Sequence, residues 1–237
     1  AFEHSGNSLV KTDTFAGSVT SAFTSSLFNE LRGQWAKDSE PGTANSTNPE
    51  AIVQQGGVTW LQIGENFFSP RETTIDRYQI ADTATFLFGD HTIKGGVDFL
   101  HDDILNYFPG NFFGSYTFTS LASFNGGTPN GAGERYVQAF AGTGTSGATT
   151  NPNTEDLAFF AQDEWRIMRN FTVNAGLRYD RQSIAQPSVR NPDPALIAAG
   201  LFTDQIPEDT NNVGVRLGFA WSPTKDDRTL IKGGYGI

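Results

Sequence analysis

His101-Asp102-Asp103 places an imidazole beside two carboxylates, the donor types of a zinc or calcium site. Such a site needs further ligands at a set spacing, and no partner His or carboxylate stands at one. The triplet therefore reads as the solvated end of a strand. Gly142-Thr143-Gly144-Thr145-Ser146-Gly147 matches the G-x-G-x-x-G string. A dinucleotide site needs a strand before that string, a helix after it and an acidic residue about 20 positions on. Here Ala148-Thr149-Thr150-Asn151-Pro152 follows, which cannot start that helix. Asn45-Ser46-Thr47 and Asn170-Phe171-Thr172 spell glycosylation sequons, to which we attach no role. Ser, His and acidic residues occur without a nucleophile elbow. We assign no catalytic, cofactor-binding or metal-ligating residue, and expect neither enzymatic activity nor a cofactor.

Composition narrows the class. The chain has 237 residues and a formal net charge of −10, which excludes a nucleic-acid partner because phosphates need a basic face. It has no Cys, so a disulfide scaffold and a Cys-built zinc site are excluded. No run approaches the ~18 apolar residues of a membrane helix, the best being Ala195 to Phe202. Ala1-Phe2-Glu3-His4 lacks the basic start and apolar core of a signal peptide. Twenty Phe and 26 Gly beside a single Met favour β-structure with many turns.

The elements follow from alternation. From Phe171 to Arg181 the residues Phe171, Val173, Ala175, Leu177 and Tyr179 alternate with Thr172, Asn174, Gly176, Arg178 and Asp180. Period 2 puts the apolar set on one face of a strand and the polar set on the other. Leu157 to Ile167 repeats the pattern, broken only by Asp163, and Met168-Arg169-Asn170 is the right length for a hairpin connection. Each strand runs to about 11 residues, enough to cross a bilayer when tilted. Three more hairpins are expected. Phe15–Phe23 pairs with Leu27–Trp35 around Thr24-Ser25-Ser26. Thr74–Phe88 pairs with Ile93–Phe99 around Gly89-Asp90. Val213–Trp221 pairs with Thr229–Ile237 around Pro223–Asp227. Between hairpins lie polar excursions read as loops, Asp38 to Arg71, Asp102 to Thr154 and Gln182 to Asn211. The second contains the Gly-rich segments Asn125–Gly133 and Gly142–Thr150. The third holds a helical turn at Pro194–Ala199, capped by Asp193 and stopped by Gly200.

Short turns alternating with long excursions put every turn at one end of the sheet and every long loop at the other. The expected fold is all-β: an antiparallel up-and-down transmembrane β-barrel segment of about eight strands. Aromatics collect where apolar faces meet turns, at Phe23, Phe86, Phe88, Trp165, Phe171 and Trp221, as in an interfacial girdle. A soluble antiparallel sheet with one wet face alternates in the same way. The alternative function is therefore a secreted or surface β-sheet protein with an adhesive or assembly role.

Two runs, Leu157-Ala158-Phe159-Phe160-Ala161-Gln162-Asp163-Glu164-Trp165-Arg166-Ile167 and Phe171 to Asp180, together resemble a recurrent hairpin of TonB-dependent outer-membrane receptors. His91–Phe99, Tyr116–Phe124 and Val213–Trp221 extend the resemblance, and together the matches are similar to the Oar-like subgroup of that family. The resemblance implies residence in a Gram-negative-type outer membrane and a barrel of roughly 22 strands around a plug. It also implies energised uptake of a solute, driven by an inner-membrane complex acting on an N-terminal box. The partners it implies are the lipid bilayer, that complex and an unidentified solute. Residues 1–237 are then expected to be part of one barrel domain, an internal segment without plug or N-terminal box. Gly234-Tyr235-Gly236-Ile237 also lacks the terminal aromatic usual in such barrels. The small and charged residues of the polar face, with Arg178, Arg216 and Lys232 among them, suit a wide lumen, wet or plugged.

Overall fold

The computed structural model describes residues 1–127, 129–142, 147–224 and 228–237. In chain order the strands are β1 (Gly6–Ser8), β2 (Lys11–Ala22), β3 (Leu27–Ala44), β4 (Glu50–Gln55), β5 (Val58–Ile63), β6 (Arg71–Phe88) and β7 (His91–Tyr107). They continue as β8 (Ser115–Phe118), β9 (Arg135–Val137), β10 (Thr149–Thr150), β11 (Thr154–Met168), β12 (Phe171–Ile184), β13 (Asn212–Trp221) and β14 (Ile231–Gly236). Among the described residues two short α-helices, α1 (Leu121–Gly126) and α2 (Pro194–Ala198), lie in the connections, and 3-10 turns form at Phe2–His4 and Gly110–Phe113.

The large sheet has ten strands in the order β1-β3-β6-β7-β11-β12-β13-β14, with β2 beside β3 and β10 beside β7. Every pairing in it is antiparallel, and β2 and β1 follow one another along the same edge of β3. The four expected hairpins are β2–β3, β6–β7, β11–β12 and β13–β14. Gly89 takes φ 59 in the two-residue turn between β6 and β7, a conformation that a Cβ would oppose. Among the described residues the sheet is not closed, since β2 and β14 each pair on one side.

The register keeps like faces together. Val173 stands opposite Phe219 and Leu177 opposite Val215, while Gly176 stands opposite Arg216. The two faces differ in exposure. Leu177 on the apolar face is 56 % exposed, whereas Ala81, Ala158 and Asp102 on the polar face are 5 %, 6 % and 7 % exposed. The polar, small-residue face is therefore the concave one. Close packing there depends on glycine: at Gly96 a Cβ would stand 2.6 Å from the ring of Phe160 on the neighbouring strand.

Three expectations are corrected. Eight strands undercounts the chain, because the large sheet has ten and a second sheet has four. Asp38–Arg71 is not a loop: β3 continues to Ala44, β4 and β5 form a hairpin, and Arg71 already belongs to β6. Asp102–Thr154 likewise contains the end of β7, then β8, α1, β9 and β10. In both excursions the signal was hidden because the ends of β3, β6 and β7 that extend past the apolar band no longer alternate apolar with polar, and the other strands there are six residues or shorter. The third excursion folds as expected, with Asp193 Oδ1 accepting from Ala195 N at 2.8 Å and Gly200 at φ 71. The connection expected at Pro223–Asp227 falls partly on residues outside the described ones.

The second sheet runs β5-β4-β8-β9, and β4 pairs with β8 in parallel. Ala51, Val53 and Phe118 form its dry core, with Leu61, Ile63, Tyr116 and Phe124 packed against them. The loop between α1 and β9 is drawn onto the carboxylate of Glu134. That group accepts from Thr119 N and Oγ1 at 3.0 and 2.9 Å, Ser123 Oγ at 2.7 Å, Asn130 N at 2.9 Å and Gly131 N at 2.8 Å. These donors, the Ser123 hydroxyl foremost, hold its pKa far below the carboxylate range.

Two predictions follow from these contacts. On the concave face Arg77 Nε and Nη2 each donate to Asp102 at 2.8 Å. Arg77→Leu leaves a buried carboxylate alone. The expected loss is about 2 kcal/mol of unfolding free energy in lipid vesicles, below the ~3–5 of fully buried pairs because Arg77 is 44 % exposed. R77L/D102L recovers most of it. For Glu134 the folded pKa lies below the unfolded one. Its stabilisation is therefore complete above the unfolded value and is lost as pH falls through the folded value. Amide protection at Asn130 and Gly131, corrected for intrinsic exchange, should fall below about pH 4 in the native protein and be low at every pH in E134Q.

Candidate functional site

The residues singled out for metal chemistry do not converge. They lie within β7, where alternation sends His101 and Asp103 to the outer face and Asp102 to the concave one. His101 Nδ1 is 3.5 Å from Glu155 Oε1, and Asp102 is held by Arg77. The reading of this triplet as a solvated strand end is thus corrected for Asp102, which is buried in the middle of a paired strand. Residues 143–146 of the G-x-G-x-x-G string lie outside the described residues. Among the described residues no group of three or more His, Cys, Asp or Glu could hold a metal.

What the fold does assemble is a sheet with two chemically different faces. On the outer face aromatic side chains cluster near the short turns, along β6 and across neighbouring strands. Phe86 and Phe88 stack at 6.2 Å, His91 and Trp165 at 5.1 Å, and Phe171 meets Phe219 at 6.3 Å. A second aromatic row crosses the other end, where Phe15, Trp35, Tyr78 and His101 are successive partners. Eight residues separate Phe15 from Phe23 and ten separate Tyr78 from Phe88. At about 3.3 Å per residue and a tilt of roughly 40°, the rows lie ~20–25 Å apart, the height of a bilayer's apolar band.

Two carboxylates interrupt that face, and both are partnered. Asp163, which breaks the alternation of β11, has Oδ2 2.6 Å from His91 Nδ1 within the aromatic row. Asp82 lies between Ile80 and Ala84, and Asn29 Nδ2 donates to its Oδ1 at 2.7 Å. Sequence reading missed Asp82, although its place in an otherwise apolar series was a visible signal. Toward the long connections the concave face carries carboxylates partnered by Arg or Gln. Beside Arg77–Asp102, Gln79 Nε2 donates to Asp98 at 2.9 Å, Gln182 Nε2 to Asp156 at 2.9 Å, and Arg178 Nη2 pairs with Asp180 at 2.9 Å. Arg32, Lys94, Arg216 and Lys232 also belong to this face and form no ion pair among the described residues. A wall of this kind suits water or a polar filling.

At the end opposite the short turns the excursions are folded. The second sheet joins the connections 45–70 and 108–148, and Glu65 there is buried with Oε2 unpartnered, so burial pushes its pKa up. The third connection folds back on itself. Arg190 Nε bonds Asp204 at 2.7 Å and its guanidinium lies 4.6 Å over the Phe202 ring, while Arg181 reaches Glu208 at 2.8 Å.

Comparison with known proteins agrees with this geometry. A family model described as an outer membrane beta barrel domain matches residues 2–237. The TonB-dependent transporter Oar of Myxococcus xanthus is 28 % identical over 157 residues, covering 62 % of this chain and 14 % of that protein. The chain thus spans about a seventh of that relative's length. Among solved structures, the copper transporter OprC superposes with TM-score 0.55 at 12 % identity, over 96 % of this chain and 30 % of its own. The open form of the ferric-catecholate import receptor Fiu from E. coli K12 gives TM-score 0.54 at 16 % identity, over 98 % and 36 %. At such identities the structural likeness shows the fold alone. The chain belongs to the outer membrane beta barrel domain family, and its place is the outer membrane of a Gram-negative-type cell.

Proposed function

We propose that the intact protein is a TonB-dependent receptor that takes up a solute across the outer membrane with energy delivered from an inner-membrane complex. In this reading residues 1–237 are part of one barrel domain, and the plug and the N-terminal segment that meets the energising complex belong to other parts of the polypeptide. The observation that carries the membrane part is the outer face. Val173, Leu177, Val215 and Phe219 stand on one uncovered side of the sheet, bounded by two aromatic rows at bilayer spacing. A secreted sandwich would lay a second layer over these residues. The likeness to Oar supports the transport part. The folded excursions then face the exterior and supply recognition surface, and the short turns face the periplasm.

Leu217 sits midway along β13 on the outer face. L217R should cost about 2–4 kcal/mol in vesicle refolding, whereas Asn174→Arg on the lumen face should change stability by under about 1 kcal/mol. Equal costs would put lipid on neither face. Protease added to intact cells should cut within 185–211 and spare Gly89-Asp90 and Arg169-Asn170; cuts at those turns alone would reverse the orientation. Photocross-links from the N-terminal segment of the intact protein to the energising complex should form in wild-type cells, and their absence would overturn energised uptake.

A further inference from the structure

The second sheet is amphipathic, and its polar side is roofed. Pairing sets Glu50 beside Ser115 and Val137, and Ile52 beside Gln62, Thr117 and Arg135. This side therefore faces away from the dry core of Ala51, Val53, Phe118 and Tyr116. His4, Phe67 and Phe68 fold over it and leave a cavity of about 360 Å³. That is within the size range of small-ligand sites.

Three features give the cavity a chemical identity. Glu50 is buried at one end, accepting from Ser115 Oγ at 2.7 Å, with His4 Nε2 3.7 Å away. The other ring nitrogen, His4 Nδ1, is buried and has no partner, so this lining still lacks a hydrogen bond. Arg135, at the far end of the floor, forms no ion pair among the described residues. Glu50 and Arg135 are two strands apart and offset by two residues, which strand geometry makes roughly 12 Å between backbones. Side chains on one face of a sheet rise roughly side by side, so carboxylate and guanidinium keep about that spacing, which suits a ligand of two or three residues with oppositely charged ends. Phe67 and Phe68, edge to face at 5.2 Å, add an apolar wall to the lining.

We propose that this cavity binds a short zwitterionic peptide. Its amino terminus donates to Glu50, beside which His4 Nε2 lies at 3.7 Å. Its carboxylate meets Arg135 in the bidentate geometry guanidinium favours, and an apolar side chain lies against Phe67 and Phe68. The proposal rests on the receptor reading, for which it names the cargo class.

Calorimetric titration of the intact protein in detergent micelles tests it, with the dipeptide Ala-Phe, its N-acetyl form and its C-terminal amide as probes. Ala-Phe should bind, and each capped form should bind at least about tenfold more weakly. Glu50→Gln should weaken Ala-Phe by about tenfold or more yet leave N-acetyl-Ala-Phe at its wild-type affinity. Arg135→Gln should do the same with the amide as the indifferent probe. Arg135 is exposed, so that variant remains a test where E50Q disturbs folding. No heat with Ala-Phe, or equal binding of all three probes, overturns the site. Binding in micelles together with uptake that ignores the inner-membrane complex would sink the receptor reading and leave the site standing.

Discussion

A backbone in hydrocarbon has no water to satisfy its N–H and C=O groups, and each unpaired group there costs several kcal/mol. That constraint governs this chain. Its long strands pair with successive neighbours along their length, from Ala22 opposite Phe28 through to Trp221 opposite Ile231. The open edges at β2 and β14 are the same constraint left unsatisfied, so in a membrane each must meet another strand. The apolar outer face contributes little packing of its own within the chain. What stabilises it is lipid, and what stabilises the sheet is the ladder together with cross-strand pairs worth roughly 0.2–1 kcal/mol each.

Polar side chains in this sheet are placed by the same logic. On the outer face a carboxylate is tolerated beside a partner, as Asp163 is with His91 and Asp82 with Asn29. His91 and Asp163 sit in the aromatic row, where headgroups and water are near. Asp82 lies deeper, and Asn29 meets one oxygen without matching its charge. On the concave face charges are numerous, and the most buried of them, Asp102, is gripped by both arms of a guanidinium fork. Small residues such as Gly96 and Ala158 make that wall thin enough for bulky neighbours like Phe160 to lie across it.

The dry core of this chain lies outside the sheet that crosses the membrane. Two connections far apart in sequence meet as the parallel pair β4–β8, bury Val53 and Phe118, and leave a roofed polar side. Glu134 then fixes the adjoining loop through five donors from its own neighbourhood. A folded element beyond the strands of the large sheet can hold a site in place on a rigid scaffold.

The sequence by itself determined the all-β class, the four hairpins, the turn at Gly89-Asp90 and the cap at Asp193, because alternation and turn chemistry are properties of adjacent residues. It also showed which face of β12 and β13 is apolar. Only the tertiary structure decided what closes the polar gaps. That Asp163 answers His91 and that Asp102 answers Arg77 depends on strand register, which no single strand reveals. The second sheet was hidden for the same reason, since Glu50 and Ser115 are 65 residues apart and its strands are short, so that the apolar run Val58–Ile63 has no visible partner in its own neighbourhood. Local pattern reports the backbone's periodicity, whereas long-range pairing is set by where the hairpins place their ends.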